Sequence, residues 1–129
     1  MKEAYVGYEV AKLLKEKGFD WFTFYSYEVY NGNVQLRVTN GVGTGFPLFP
    51  RPTQQMACRW LREVHKIDIS VTPDDGSWWI KVTELESWSC VFNGKVLNSD
   101  DIKYAYKGDT STKEGCYEAG LWYVLKNLI

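Results

Sequence analysis

At 129 residues, 45% hydrophobic and 24% charged, the chain is long enough for one domain with its own core and too apolar for a disordered tail. A net charge of -1 supplies no broad cationic field, which argues against a protein that holds duplex DNA through its phosphates. No stretch approaches the ~20 apolar residues of a membrane span and no apolar h-region opens the chain, so a soluble, cytoplasmic protein without membrane contact is expected.

The first element is a helix, because Val6, Val10, Leu13 and Leu14 recur at helical spacing with charged residues between them. Gly18 ends it, and Phe19 follows in position to fold back on the last turn. Residues 21–30 are aromatic and β-branched, and after Asn31-Gly32 the run Val34, Leu36, Val38 alternates with Gln35 and Arg37; together they predict a β-hairpin. The glycines and prolines of residues 41–52 break either period, so that stretch is expected to be the longest loop.

Thr53 then caps a second helix, whose apolar face is Met56, Trp60 and Val64 with Ala57 and Leu61 beside them. After Lys66 the period switches to two. Ile67, Ile69 and Val71 form one face of a half-buried strand, Pro73-Asp74-Asp75-Gly76 is a turn, and residues 77–84 return as its partner. A further hairpin is expected around Asn93-Gly94, between residues 88–92 and 95–97, followed by a turn at 98–101 and an edge strand at 102–106. Ser111 stands three residues before Glu114, the spacing of a capping box, and Cys116, Gly120, Tyr123 or Val124, and Leu128 continue at helical intervals. The whole predicts an α+β domain over residues 1–129: a mostly antiparallel sheet with about three helices packed on one face.

The chemistry-bearing residues are few. Trp78 and Trp79 are neighbours in a strand, so their indoles must leave opposite faces, and one needs cover other than the helix layer. That second indole is either shielded by a loop or subunit, or is a stacking platform. Trp60 and Trp21 are assigned to the core. Arg59, Arg62 and Lys66 make a basic stripe beside His65, either solvated or an anion-binding face. As the sole histidine, His65 would have to serve any triad or multi-histidine metal site; at a helix end, its structural role would be to satisfy terminal carbonyls. Phe46 and Phe49 give the glycine-rich loop an apolar surface with which to close on a ligand. The glycines lack the following helix and the Gly-Lys-Ser/Thr of a phosphate-binding loop.

The three cysteines, Cys58, Cys90 and Cys116, are odd in number and far apart, so each is expected as a small buried apolar residue rather than part of a disulfide framework or metal site. Asp74-Asp75 and Asp100-Asp101 read as turn chemistry. No catalytic set, metal site or cofactor signature is present in the sequence.

Three fragments resemble small uncharacterised proteins encoded by phages and prophages of gut bacteria: Ala11-Lys12-Leu13-Leu14-Lys15-Glu16-Lys17-Gly18-Phe19-Asp20, then Pro52-Thr53-Gln54 with Trp60-Leu61-Arg62-Glu63 and His65-Lys66-Ile67, and Tyr117-Glu118-Ala119-Gly120-Leu121 with Leu125. Residues 21–45 and Gly115-Cys116 depart from that group's pattern. The resemblance implies a mobile-element protein and no particular activity; phage accessory proteins of this size often act stoichiometrically, which suggests binding of a host protein or a small nucleotide in the host cytoplasm. The expected function is therefore non-enzymatic binding through an aromatic, arginine-bearing surface comprising Trp78, Trp79, Arg59, Arg62, His65, Phe46 and Phe49. The alternatives are a small hydrolase or nucleotide-modifying enzyme built on His65, and a protein that self-associates through an exposed strand.

Overall fold

A helix that ends on glycine and a two-residue turn that demands left-handed backbone set the first third of the chain. The computed structural model describes residues 4–39, 46–95 and 110–129. Helix α1 spans Tyr8–Glu16 and closes as expected: Gly18 takes φ +90°, its N–H donates to the Lys15 carbonyl, and the Phe19 N–H reaches back to Leu14 at 2.9 Å. Phe19 is buried against Trp60. Strands β1 (Tyr25–Tyr30) and β2 (Asn33–Val38) pair antiparallel around Asn31-Gly32, both with positive φ, as a tight hairpin turn requires.

Residues 48–50 correct the loop expectation. Leu48–Pro50 is a third strand, β3, paired with β1 through Tyr27 opposite Phe49, giving the order β2-β1-β3. Proline is tolerated because β3 is an edge strand, where a missing N–H costs no ladder bond. Residues 41–45, and with them the glycine run, lie outside the described residues, as do the turn at 98–101 and the strand expected at 102–106.

Helix α2 (Gln54–Trp60) starts on Thr53, whose hydroxyl accepts the Met56 N–H at 3.1 Å. It runs on into a π-helical turn, Leu61–His65, stopped by Lys66 in the left-handed region. The wider turn throws Val64 off the apolar stripe, and Val64 is exposed rather than core.

Strands β4 (Ile67–Asp74), β5 (Ser77–Glu84) and β6 (Ser89–Lys95) form a second antiparallel sheet in that order. The turn between β4 and β5 is Asp75-Gly76 alone, both with positive φ, while Pro73 stays in the edge strand opposite Trp78. No hairpin forms at Asn93-Gly94. Strand β6 runs straight through them, with Asn93 opposite Lys81 and Gly94 opposite Ile80, and the reversal lies instead at residues 85–88. Asn93 gains a side-chain bond from the Trp79 indole there, which a turn would forgo.

Helix α3 (Lys113–Asn127) is capped by Thr112, one residue later than the capping-box spacing suggests; its hydroxyl accepts the Gly115 N–H at 2.9 Å. At Gly120, α3 approaches the second sheet closely, since a Cβ there would lie 3.0 Å from the Ile69 Cγ2. The core collects Val10, Leu14, Trp60, Leu61, Ile69, Ile80, Val82, Leu121 and Leu125. Trp21 only packs on its margin, and Cys90 is exposed, because the shifted pairing at Val82/Thr83 moves β6 out of simple alternation there. The fold is α+β, with three helices and two three-stranded antiparallel sheets among the described residues.

Candidate functional site

The residues expected to form one surface occupy three separate places. Trp78 shares the apolar face of β5 with Ile80 and Val82, half-buried against the core. Trp79 leaves the opposite face, where its neighbours are polar: Thr72 across the strand pair, and Asn93, whose Oδ1 accepts the indole N–H. The required divergence of the two indoles is present, and a cross-strand asparagine anchors the outer ring.

The two arginines of the basic stripe face carboxylates. Arg59 Nε donates to Glu63 at 2.9 Å, one helical turn on, with its guanidinium 5.9 Å from the Trp21 ring. Arg62 Nη1 lies 3.6 Å from Asp68 on β4. Asp68 is four residues from Thr72, the cross-strand neighbour of Trp79, so about 13 Å of strand separates the pair from that indole. His65 does not satisfy terminal carbonyls. Lys66 Nζ takes that role at the Glu63 carbonyl, 2.9 Å away, while the imidazole packs edge-on against Trp60 with centroids 4.8 Å apart. Its Nε2 is buried and without a hydrogen-bond partner, sealed from any substrate. That geometry gives the His65 hydrolase reading no support.

Phe46 and Phe49 belong to the first sheet. Phe46 stacks edge-on with Tyr30, and Phe49 packs under Tyr8 with the Lys15 ammonium 4.8 Å above its ring. No group of His, Cys, Asp and Glu that could hold a metal ion occurs among the described residues, and no helix among them is long and apolar enough to cross a membrane.

Two constellations escaped the sequence reading. One is Glu118, on α3, buried between the starts of the other two helices. Its Oε2 accepts the Gly7 N–H at 2.6 Å, completing the N-terminus of α1, and its Oε1 accepts from Gln54 Nε2 at 3.3 Å. Burial drives its carboxyl above the ordinary range, against the pull of these two bonds. Both oxygens are engaged, which makes it a clasp rather than an acid catalyst. Cys58 is equally inert: burial pushes its thiol up to about 12, only partly offset by Arg62.

The other lies on the first sheet. Tyr25, Tyr27, Val34, Leu36, Val38, Phe49 and Arg51 share one face by pairing register. The Arg51 guanidinium is framed by three tyrosine rings, its Cζ lying 4.2 Å from the centroid of Tyr5, 5.6 Å from Tyr27 and 5.8 Å from Tyr25. Arg51 Nε donates to the Tyr27 hydroxyl at 3.3 Å, and that hydroxyl donates to the Val6 carbonyl at 2.5 Å. Among the described residues, the two terminal nitrogens of Arg51 have neither a hydrogen bond nor a carboxylate. Beside this corner the outer strand β2 is bare: Leu36 and Val38 are each 62% exposed and Val34 43%. The alternation of Tyr25 with Tyr27 and of Val34, Leu36 and Val38 was a readable signal for one face; the partnership with Arg51, masked by its flanking prolines, was not.

Compared with known protein families, curated proteins and solved structures, the chain matches none.

Proposed function

We propose that this chain is a non-enzymatic binding protein, an accessory of a mobile element, that engages an anionic partner through an aromatic, arginine-bearing surface. The surface is the first sheet's open face, Arg51 with Tyr5, Tyr25 and the β2 column, in place of the dispersed set around Trp78 and Trp79. One observation carries the reading: a guanidinium pre-oriented by three rings has no partner for its two terminal nitrogens among the described residues and sits near exposed apolar side chains. Native mass spectrometry of the chain and of Arg51→Ala, each purified from producing cells and then offered nucleotide mixtures, tests it. Retention of an anionic ligand or protein by the first and its loss from the second supports binding at this corner. Equal retention by both, or retention by neither, counts against it.

A second reading, self-association, is favoured by the position of β2 at the edge of the first sheet among the described residues. Light scattering showing a monomer at micromolar concentration excludes it.

A further inference from the structure

The first sheet is covered by a helix over only part of its width. Helix α1 rests on β1 and β3, through Tyr8 on Tyr27 and Phe49 and through Lys15, which donates to the Leu48 carbonyl. Beyond Tyr27 the face continues with Leu36 on β2, then stops. Helices side by side on a sheet sit about 10 Å apart, close to two strand spacings. The lane next to α1 is therefore one helix wide, floored by Val34, Leu36 and Val38, with Tyr25 beside Val38 at one end and Arg51 beyond Tyr25, about 10 Å or two strand spacings across the sheet from the β2 column.

We infer that this lane receives an amphipathic helix of a partner protein, its apolar stripe on Val34, Leu36 and Val38 and a carboxylate at one end of the stripe on Arg51. The inference rests on the binding function proposed above and names the partner's chemistry. Val34 to Val38 spans about 13 Å of strand, the length of about nine helical residues, so anchors at i, i+4 and i+7 match the floor. A strand added to the outer edge of β2 fits less well. Its side chains would lie beside Leu36 rather than over it, about three strand spacings, near 14 Å, from the Arg51 column. A second copy fits less well too. Two-fold packing sets this patch against itself, and the patch holds no acid: Glu28, the carboxylate of β1, is on the other face and paired with Arg37 at 2.9 Å. The guanidinium, whose terminal nitrogens meet no carboxylate among the described residues, selects a partner that brings its own.

The test uses fluorescein-labelled 16-residue helical peptides and the full chain, read by anisotropy. One peptide carries Leu at i, i+4 and i+7 with Glu at one end of the stripe on an otherwise uncharged background; a second has Lys in place of that Glu, and a third has the leucines shuffled off the stripe. The Glu peptide is expected to bind about tenfold or more tightly than either control. Leu36→Asp should weaken it by about tenfold, and Arg51→Ala should erase the preference for Glu over Lys. Leu36 is exposed, so its variant should keep the parent circular dichroism spectrum. If Arg51→Ala alters that spectrum, Arg51→Lys, which keeps the charge and loses the fork, should still reduce the preference.

Equal binding of all three peptides, no binding of any, or indifference to Leu36→Asp overturns the inference. So does a dimer that Leu36→Asp dissolves, which would give the face to a second copy. An anionic ligand whose retention depends on Arg51 and not on Leu36 overturns the helix while leaving the binding function standing.

Discussion

The two sheets have the same size and the same antiparallel order, and differ in how their apolar faces are closed. Helix α3 meets the second sheet at Gly120, close enough for Ile69 and Ile80 to touch backbone, and Tyr123 reaches Phe92 on the far strand. Its whole width is roofed. On the first sheet, α1 reaches β3 and β1 and leaves the β2 column in solvent. A glycine in the roofing helix contributes to that seal: without a Cβ, α3 can lie low against Ile69 and Ile80.

The contrast is sharpest in a pair of truncations. Ile80→Ala, in the sealed sheet, should cost about 3 kcal/mol, and Leu36→Ala, in the open one, less than about 0.5 kcal/mol, both from urea unfolding midpoints. A Leu36→Ala loss approaching that of Ile80→Ala would show that the β2 face is covered. Next in size, Gly120→Leu should destabilise by about 2 kcal/mol by wedging α3 off the second sheet. A neutral result would mean that the roof does not depend on close approach.

Glu118 links the two regions, and removing it by Glu118→Ala leaves the Gly7 N–H and the Gln54 amide short of an acceptor, an expected loss of about 1–2 kcal/mol. Its titration has a definite sign. Because the folded-state carboxyl is raised above its ordinary value of 4.5, the folded protein holds a proton that the unfolded chain has released, and stability falls as pH climbs from 4.5 through the raised value. Glu118→Gln should flatten that slope in denaturation midpoints measured across the window; identical slopes in both proteins would assign the effect elsewhere. The smallest effect concerns Trp88, which is 78% exposed with φ +54° in the turn that joins β5 to β6. Trp88→Gly relieves a left-handed residue at little packing loss and should gain about 0.5 kcal/mol in melting experiments.

What the sequence disclosed was local. Gly18 with Phe19, Asn31-Gly32, Thr53 and the period-two run from Ile67 each act over a few residues, and each formed the element expected. Where a distant partner decided the outcome, the reading failed. Leu48–Pro50 is a strand only because Tyr27 lies across from it, and Asn93-Gly94 forgoes its turn because Trp79 and Ile80 sit opposite or nearby. The basic stripe was open to two readings, and side-chain geometry that spacing alone does not give pairs Arg59 with Glu63 one turn on and sets Arg62 beside Asp68 on the next strand. Arg51, hidden between two prolines, has no partner for its terminal nitrogens among the described residues.

The bond from Gly7 to Glu118 joins positions 111 residues apart. During synthesis, then, the first helix must wait for 111 later residues before its leading amide meets this carboxylate, and Gln54 waits for the same group. So long-range a closure carries a loop-closure cost, which is expected to slow acquisition of the native state.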